Sequence, residues 1–311
     1  MVGIVILNYN SWNDTEACIK SIDEHEKQVQ YHIYVVDNAS SKPMPESLRR
    51  YLQKDSAATF IPSRENRGYS AGNNLGIKQA LTDGCSAVLI SNSDVRYEDN
   101  SIGKMYQFLQ DHPKTGIVGP KIVRADGKTQ RECMMRKTGI KEKYLLRTRL
   151  HIFCPSFNKA YWGREHDYER ETFEVYAVLG CCFMFSRACA LQVTPLDENT
   201  FLYEEELILG IQMEKAGWKT VYYPQSVIHH LHGQSTKKVR AFAYTCNIVS
   251  EIYYCRTYLE MKNWQIRPLY WYRTALYLLK SIRDKEFEKG WRSYRDATRR
   301  ELNNQRVERS V

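Results

Sequence analysis

The sequence lacks several features that define common protein classes. Its nine cysteines include no CxxC pair and suggest no disulfide framework, so we expect reduced thiols that mostly serve packing. No segment approaches the roughly 20 consecutive apolar residues that a membrane-spanning helix needs. The first residues form an apolar run without a basic segment or a cleavage site, so we expect no signal peptide. These absences favour a cytoplasmic protein that is soluble or peripheral to a membrane.

Two widespread nucleotide-binding signatures are also missing. The segment 66–76 is rich in glycine and asparagine, but it has neither the Gly-Lys-Ser/Thr of a P-loop nor the spacing of a dinucleotide fingerprint. Its glycines permit close approach of the backbone, and its asparagines offer hydrogen-bond donors and acceptors. We interpret it as a different nucleotide-binding loop that caps the following helix. The candidate ligand contacts in this loop are Asn66, Gly68, Tyr69 and Asn73.

Charge is distributed unevenly along the chain. Lys and Arg number 45 against 36 Asp and Glu, and 17 basic against 8 acidic residues lie in the segment 237–311, here called the basic tail. The basic tail therefore carries the whole net charge of +9, and residues 1–236 are neutral. This favours a neutral domain over 1–236 and a helical appendage over 237–311 that faces an anionic surface. A solvated basic helical bundle is the alternative.

Apolar, β-branched runs alternate with helical patterns in the first third of the chain. Strands are predicted at 2–7, 31–36, 58–62 and 87–91, and helices from Asn13 to about Glu26, around 44–54 and around 74–82. Asn13 with Glu16 forms a capping-box pattern at the start of the first helix. The alternation predicts an α/β fold with a mostly parallel twisted sheet flanked by helices.

Polar residues directly follow three of these strands. They are Asn8, Tyr9 and Asn10 after the first strand, Asp37 and Asn38 after the second, and Asn92 and Asp94 after the fourth. Because ligands of such sheets bind at the carboxyl ends of the strands, one pocket could collect all three groups. Asp94 could hold a hard divalent cation that also binds a diphosphate. The alternative is an Asx turn that caps the next helix.

Two further clusters offer catalytic and metal-binding groups. Three consecutive carboxylates end at Glu206, and because they repel one another we expect at least one at a helix N-terminus or opposite a cation. Glu206 or Glu205 could act as a general base, whereas a solvated acidic helix start is the alternative. His230 and His232 would point to the same side of a strand, so either could complete a metal site with Asp94.

Together these segments resemble the family 2 glycosyltransferases of bacterial surface-polysaccharide assembly, in the branch of rhamnosyltransferase-like enzymes. The matching segments are 6–10, 35–40, 66–74, 92–94, 180–184, 201–206 and 230–235. The resemblance implies a GT-A fold with a C-terminal helical appendage, and inversion at the anomeric carbon by a single displacement. It also implies a UDP- or dTDP-sugar as donor, and Mn²⁺ or Mg²⁺ at Asp94 with help from His230 or His232.

The same resemblance assigns roles to further residues. Asn8, Tyr9, Asp37 and Asn38 would line the nucleoside pocket. The family's glutamate-aspartate pair falls on Glu205-Glu206, which makes Glu206 the preferred base. Glutamate replaces the family's aspartate there, and therefore Glu205 stays open as an alternative base.

The resemblance also implies a glycan or lipid-linked acceptor near a membrane. Residues 124–174, which show weak periodicity, are the expected acceptor-binding region. In the basic tail, a helical stripe of Leu269, Tyr272, Leu276 and Leu279 would lie in the anionic inner surface of the plasma membrane. The alternative is that these residues pack against the catalytic domain or against a second subunit in a homodimer.

Two other function classes compete with this interpretation. A sugar nucleotidyltransferase would carry a glycine-rich, lysine-containing signature after the first strand, and the segment 8–12 contains none. A nucleic-acid-binding protein could use the basic tail, but no recognised module accompanies the charge. We therefore expect no nucleic-acid partner.

Overall fold

The computed structural model describes residues 1–54, 58–231 and 239–304. The chain divides into two compact units. The sheet unit comprises Met1–Lys137, Pro155–Glu198 and Glu205–Gly233, and the helical unit comprises Thr138–Cys154, Asn199–Glu204 and Gln234–Val311. The helical unit thus contains two short segments from the middle of the sequence in addition to the C-terminal helices.

The sheet unit is built on a nine-stranded sheet. Its strands are β1 (Val2–Asn8), β2 (Tyr31–Asp37), β3 (Ala58–Pro62), β4 (Ala87–Asn92), β5 (Val95–Tyr97), β6 (Thr115–Arg124), β7 (Phe173–Val175), β8 (Cys182–Ser186) and β9 (Lys219–His230). The order is β3-β2-β1-β4-β8-β6-β9-β5, with β7 also paired to β9. Neighbours are parallel from β3 to β4 and between β6 and β9, whereas β8, β5 and β7 run antiparallel to their neighbours. The predicted α/β sheet flanked by helices is confirmed.

Helices cover both faces of the sheet and form the helical unit. They are α1 (Trp12–His25), α2 (Glu46–Lys54), α3 (Tyr69–Thr82), α4 (Ser101–Asp111), α5 (Ile140–Arg147), α6 (Pro155–Tyr161), α7 (Arg187–Val193), α8 (Glu205–Ala216), α9 (Arg240–Thr257), α10 (Asn263–Ser281) and α11 (Lys285–Asn303). In β1, Ile4 belongs to the same core cluster as Cys18 of α1, and Val5 to that of Ile77 of α3. The first strand is therefore buried on both faces, as its apolar run predicts.

Two helix starts differ from the sequence prediction. The N-cap of α1 is Ser11, not Asn13, because the Asn8 side-chain oxygen accepts the main-chain N–H of Ser11 (3.3 Å) and the chain turns there. Asn13 lies inside the helix, so the predicted capping box is wrong. Helix α3 begins at Tyr69, five residues before the predicted start at Asn74.

Helix α3 lies directly against β1 because two of its residues have no side chain. A Cβ on Gly72 would come within 2.5 Å of Leu7 Cδ1, and one on Gly76 within 2.3 Å of Val5 Cγ1. Glycine inside a helix costs about 1 kcal/mol relative to alanine, so local propensity favours a loop here. Close packing against the strand explains why the segment is helical nonetheless.

The helical unit has a core of its own that is rich in aromatic rings. The rings of Tyr277 and Tyr294 stack with centroids 4.2 Å apart, and Leu269 of α10 is 3% exposed in the same cluster. Within the described parts of the chain, no helix combines the length and the apolarity that crossing a membrane requires.

A buried ionic cluster also lies in the helical unit. Lys143 Nζ is 2.6 Å from Glu204 Oε2, and both side chains are fully buried. Arg147 pairs with Glu204 at 2.9 Å and with Glu251 at 3.3 Å. Burial alone would raise the pKa of Glu204, but Lys143 and Arg147 outweigh it and hold the pKa below its ordinary value. The prediction that one of the three consecutive glutamates faces a cation is confirmed.

Candidate active site

Asn8 joins the loops that follow β1 and β2. Its side chain is fully buried, and Nδ2 donates to Asp37 Oδ1 (3.2 Å) and to Ser40 Oγ (3.0 Å). Its Oδ1 accepts hydrogen bonds from Ser11 Oγ (3.1 Å) and Thr15 Oγ1 (3.0 Å). Because both ends of the amide are engaged, Asn8 shapes this edge of the sheet from within.

The residues beside Asn8 have different exposures. Asn10 has a φ of 57° and its Oδ1 accepts the main-chain N–H of Lys42 (3.0 Å), so it also organises the loop. Tyr9 is 46% exposed, and Asp37 is partly exposed at the end of β2. Tyr9 and Asp37 are therefore both accessible to a ligand.

The asparagine-rich loop packs against the end of β2. Asn38 Nδ2 donates to Asn66 Oδ1 (2.8 Å) and to the carbonyl of Gly68 (3.0 Å), and Asn73 Nδ2 donates to the carbonyl of Tyr69 (3.0 Å). Gly68, with a φ of 94°, is the N-cap of α3. The Oδ1 atoms of Asn38 and Asn73 are buried without a partner among the described residues. Both oxygens lie behind the surface of the loop, so these amides organise the loop from within.

Asp94 lies in the tight turn between β4 and β5. Its Oδ1 is 3.2 Å from Nε2 of His230, because Val95 and His230 are paired residues of β5 and β9. The guanidinium of Arg96 donates to the carbonyl of Ser93 (3.2 Å) and fixes the turn. Since the next element is a strand, the alternative in which this triplet caps a helix is wrong.

The pair of Asp94 and His230 fits a divalent cation. A carboxylate oxygen and an imidazole nitrogen are ligands that Mn²⁺ accepts, and a bound diphosphate can supply further oxygens. Among the described residues, no group of three His, Cys, Asp or Glu side chains is placed to hold a metal. His232, the other candidate ligand, lies outside the described residues.

Glu206 is held by the segment that precedes β8. The main-chain N–H of Gly180 donates to Glu206 Oε1 (3.1 Å), and the hydroxyl of Tyr69 donates to the carbonyl of Gly180. Burial raises the pKa of Tyr69 well above its ordinary value, and the carboxylates of Glu205 and Glu206 raise it further. These four residues line one pocket together. Tyr69, which we expected beside the nucleotide, thus lies beside the glutamates.

Cys181 connects the two carboxylate sites. Its carbonyl accepts the main-chain N–H of Asn92 (2.8 Å), two residues before Asp94. Burial raises the pKa of the Cys181 thiol well above its ordinary value, and the nearby carboxylates of Asp94 and Glu206 raise it further. Segments distant in sequence therefore meet at this edge of the sheet. The resemblance included residues 180–184, but it gave no sign that Gly180 and Cys181 join the two sites.

Solved glycosyltransferases share this architecture. The mannosyltransferase PcManGT from Pyrobaculum calidifontis, in complex with GDP-Man and Mn²⁺, matches with a TM-score of 0.53 and 15% identity over 96% of this chain and 83% of that one. GalNAc-T7 with UDP, GalNAc and Mn²⁺ matches with a TM-score of 0.58 and 13% identity, over 76% of this chain but only 44% of that longer one. The fold is that of the GT-A glycosyltransferases, as predicted.

Sequence comparison then defines the family. The model for Glycosyl transferase family 2 matches residues 3–188, and the chain belongs to this family. A relative in Mycobacterium tuberculosis, N-acetylglucosaminyl-diphospho-decaprenol L-rhamnosyltransferase, is 27% identical over 216 residues, which is 66% of this chain and 67% of the relative. The low-salt glycan biosynthesis hexosyltransferase Agl10 of Haloferax volcanii is 30% identical over 207 residues, which is 66% of this chain and 59% of that protein.

Proposed function

We propose that this protein transfers a sugar from a nucleoside-diphosphate donor to a hydroxyl of a lipid-linked glycan, with inversion at the anomeric carbon. The observation that carries the proposal is that two adjacent residues hold both carboxylate segments. The N–H of Gly180 donates to Glu206 Oε1 (3.1 Å), and the carbonyl of Cys181 accepts the N–H of Asn92 (2.8 Å), two residues before Asp94. The proposed diphosphate-binding edge and the candidate base would then share one site, as a single displacement requires.

In the proposed reaction, Glu206 removes the proton of the acceptor hydroxyl. The hydroxyl oxygen forms a bond with the anomeric carbon while the bond from that carbon to the diphosphate oxygen breaks. The nucleoside diphosphate leaves with the electron pair, and the proton stays on the Glu206 carboxylate. The N–H of Gly180 orients that carboxylate, and general-base catalysis of this kind contributes about 10²–10⁴-fold.

Asp94 and His230 would hold Mn²⁺ or Mg²⁺ beside the donor. When bound, the cation neutralises charge that develops on the departing diphosphate. Tyr9 and Asp37 would contact the nucleoside from the accessible side, and the buried amides of Asn38 and Asn73 would hold the surrounding loop in place. The donor would be a UDP- or dTDP-sugar.

The name of the Mycobacterium tuberculosis relative supports a choice of substrates. That protein transfers L-rhamnose to N-acetylglucosaminyl-diphospho-decaprenol. We propose rhamnose as the sugar and a prenyl-diphosphate-linked N-acetylglucosamine as the acceptor. The reaction would then take place at the inner face of the plasma membrane.

Incubation with a panel of UDP- and dTDP-sugars and a short-chain prenyl-diphospho-N-acetylglucosamine, with Mn²⁺ or Mg²⁺, tests the proposal. We expect transfer by the wild-type protein and a kcat that falls about 10²–10⁴-fold in Glu206→Gln. Glu205→Gln should lose much less activity. Glu214→Gln, on the same helix α8 but outside the pocket, is the matched control. Full activity in Glu206→Gln with loss in Glu205→Gln would move the base to Glu205, and retention of configuration in the product would contradict the single displacement.

Helix α10 provides a surface for the proposed membrane partner. Three of the four residues in its predicted stripe are covered, because Leu269 is buried and Tyr272 and Leu276 are half-buried. The exposed apolar face shares only Leu279 with that stripe and is here called the α10 face. It consists of Trp264, Pro268, Trp271, Ala275, Leu278, Leu279 and Ile282, which repeat at helical spacing.

Large exposed side chains on the α10 face suit the headgroup layer of a bilayer. Trp264 is 70% exposed, Trp271 63% and Ile282 78%. Tryptophan is favoured at membrane interfaces, and the exposed Arg267 and Arg283 flank the face with positive charge that attracts anionic lipids. We therefore assign the α10 face to an anionic membrane surface, which would bring the enzyme to a lipid-linked acceptor.

A further inference from the structure

The sheet unit has a charged surface where β6 ends. The chain continues from β6 into a tight turn at Gly127, with a φ of 75°, and returns so that Thr129 pairs antiparallel with Val123. This hairpin forms one wall of an open groove of about 660 Å³. We call it the basic groove, after its five cationic lining residues: Lys121, Arg124, Lys128, Arg131 and Arg164.

Nearby carboxylates neutralise only two of these cations. Lys121 Nζ is 3.2 Å from Glu169 Oε2, and Arg124 Nη2 is 3.2 Å from Asp126 Oδ2. Both pairs are open to solvent on the carboxylate side, so they are weak and can rearrange around a stronger anion. The positive charge of the groove is therefore only partly neutralised.

The other three cations have no carboxylate partner in the described part of the chain. Arg131 donates to the carbonyl of His166 (3.1 Å), while neither the Lys128 nor the Arg164 side chain is engaged by a charged group there. The only unpaired carboxylate among the described lining residues is Glu132, which accepts a hydrogen bond from Gln130 (2.9 Å). An excess of positive charge in a concave surface concentrates anions.

The basic groove lies near the candidate active site. Arg124 and His230 are paired residues of adjacent strands, which lie about 4.8 Å apart in a sheet. On β6 itself, Ile117 lines the pocket of Glu206, and Lys121 lines the groove four residues further on. At about 3.3 Å per residue this places the two sites roughly 13 Å apart along the strand. One sugar ring with an attached diphosphate can bridge this distance.

We propose that the basic groove binds the diphosphate of the acceptor. This inference rests on the proposed function, because it assumes an acceptor whose sugar is attached through a diphosphate. Guanidinium groups can bind phosphate oxygens through two parallel hydrogen bonds, that is, in a bidentate manner. Lys128 adds a positive charge on a flexible side chain. With the diphosphate in the groove, the sugar extends along β6 towards Glu206. The groove thus selects acceptors that carry a diphosphate over simple glycosides.

The decisive variant is Lys128→Gln/Arg164→Gln, in which two exposed cations without carboxylate partners are removed. Its matched control is Lys78→Gln/Arg49→Gln, which removes one exposed lysine and one exposed arginine elsewhere in the sheet unit. In detergent without phospholipid, we expect the KM for prenyl-diphospho-N-acetylglucosamine to rise at least tenfold in the groove variant. The KM for an alkyl N-acetylglucosaminide and the rate of donor hydrolysis should stay unchanged.

A binding measurement separates this inference from the proposed function. Geranyl diphosphate is titrated into each protein by calorimetry in the presence of EDTA. We expect it to bind the wild-type protein and the control with equal affinity, and to bind the groove variant at least tenfold more weakly. Equal dissociation constants in all three proteins would overturn the inference even if transfer activity is found. Weaker binding in the groove variant would support it even if no sugar transfer is detected. An unchanged KM in detergent with reduced flotation on anionic vesicles would overturn it in favour of phospholipid headgroups.

Discussion

The main-chain N–H of Gly180 donates a 3.1 Å hydrogen bond to Oε1 of Glu206, and a Cβ on Gly180 would lie 3.0 Å from that same oxygen. A contact this close means that a methyl group at residue 180 would push the Glu206 carboxylate by a few tenths of an ångström. The orientation of the candidate base therefore depends on the glycine at residue 180.

Substitution of Gly180 by alanine tests this dependence. Because the added methyl group displaces the Glu206 carboxylate, we expect kcat to fall about 10–100-fold while the KM for the donor stays unchanged. Gly103→Ala is the control. Its N–H donates to Glu26 Oε2 (2.9 Å), and its Cβ would lie 3.0 Å from Glu26 Oε1 and 2.9 Å from Gln28 Cβ, remote from the site. Comparable stability of both variants, with normal kcat only in Gly103→Ala, is the expected result. A normal kcat in Gly180→Ala would show that the carboxylate position is not critical.

The cation site can be tested by direct binding of Mn²⁺. We expect Asp94→Asn to weaken Mn²⁺ binding in the presence of UDP by at least tenfold, and His230→Gln to weaken it less, as measured by the electron paramagnetic resonance of free Mn²⁺. His229→Gln serves as the control, because His229 Nε2 lies 3.1 Å from Glu98 Oε1 in a similar pair one residue away. Equal affinities in Asp94→Asn and His229→Gln would exclude Asp94 as a ligand.

The ion pair of Lys143 and Glu204 predicts an acid-sensitive helical unit. Since the pKa of Glu204 lies below its ordinary value of about 4.3 in the folded protein, its contribution to stability is present above that value. The contribution is lost as the pH falls through the lowered pKa. Removing one partner of a buried pair costs about 3–5 kcal/mol, so Glu204→Gln should be much less stable than wild type at pH 7.

Chemical denaturation between pH 7 and pH 3, with hydrogen exchange to follow α5 and α9, measures this effect. The difference between wild type and Glu204→Gln should shrink as the pH falls below about 4, because the wild type then also loses the charge. Lys143→Met/Glu204→Leu should recover part of the lost stability. The exposed pair of Lys104 and Asp99 provides a control in which Asp99→Asn has no measurable effect. A difference that stays constant across this pH range would contradict the assigned role of Glu204.

The α10 face predicts membrane binding that depends on tryptophan. In the full-length protein, we expect Trp264→Ser/Trp271→Ser to reduce flotation on anionic vesicles about tenfold, because both rings lose their burial among lipids. Leu191→Ser, which alters an exposed apolar residue of the sheet unit, should float like the wild type. Unchanged flotation together with a fall in molar mass by light scattering would identify the α10 face as a subunit interface instead.

The sequence predicts the first half of the sheet well because its strands are continuous β-branched runs. Ala58–Pro62 is predicted with its observed bounds, and Tyr31–Asp37 differs by one residue. Local patterns fail where distant contacts decide the structure. The start of α1 depends on the buried Asn8 amide, and the start of α3 depends on glycines that pack against β1.

The sequence predicts which residue types lie at the strand ends of the candidate site, but it does not predict how their side chains are arranged in space. Asp94 and His230 form the pair that the sequence suggests, because Asp94 directly precedes β5 and His230 ends β9, and these two strands pair antiparallel. The position of Tyr69 could not be predicted, since its partner Gly180 lies 111 residues away in sequence. The partners of Glu204 are similarly distant, and the exposed side of α10 depends on which of its residues the helical core covers.

Helix α3 fixes the position of Tyr69 relative to β1. Tyr69 is the first residue of the helix and contacts the loop that orients the candidate base, while Gly72 and Gly76 pack the helix against β1. The placement of the base therefore depends in part on two glycines that do not line its pocket. A methyl group at either one would clash with Leu7 or Val5 and push α3, with Tyr69, away from the strand.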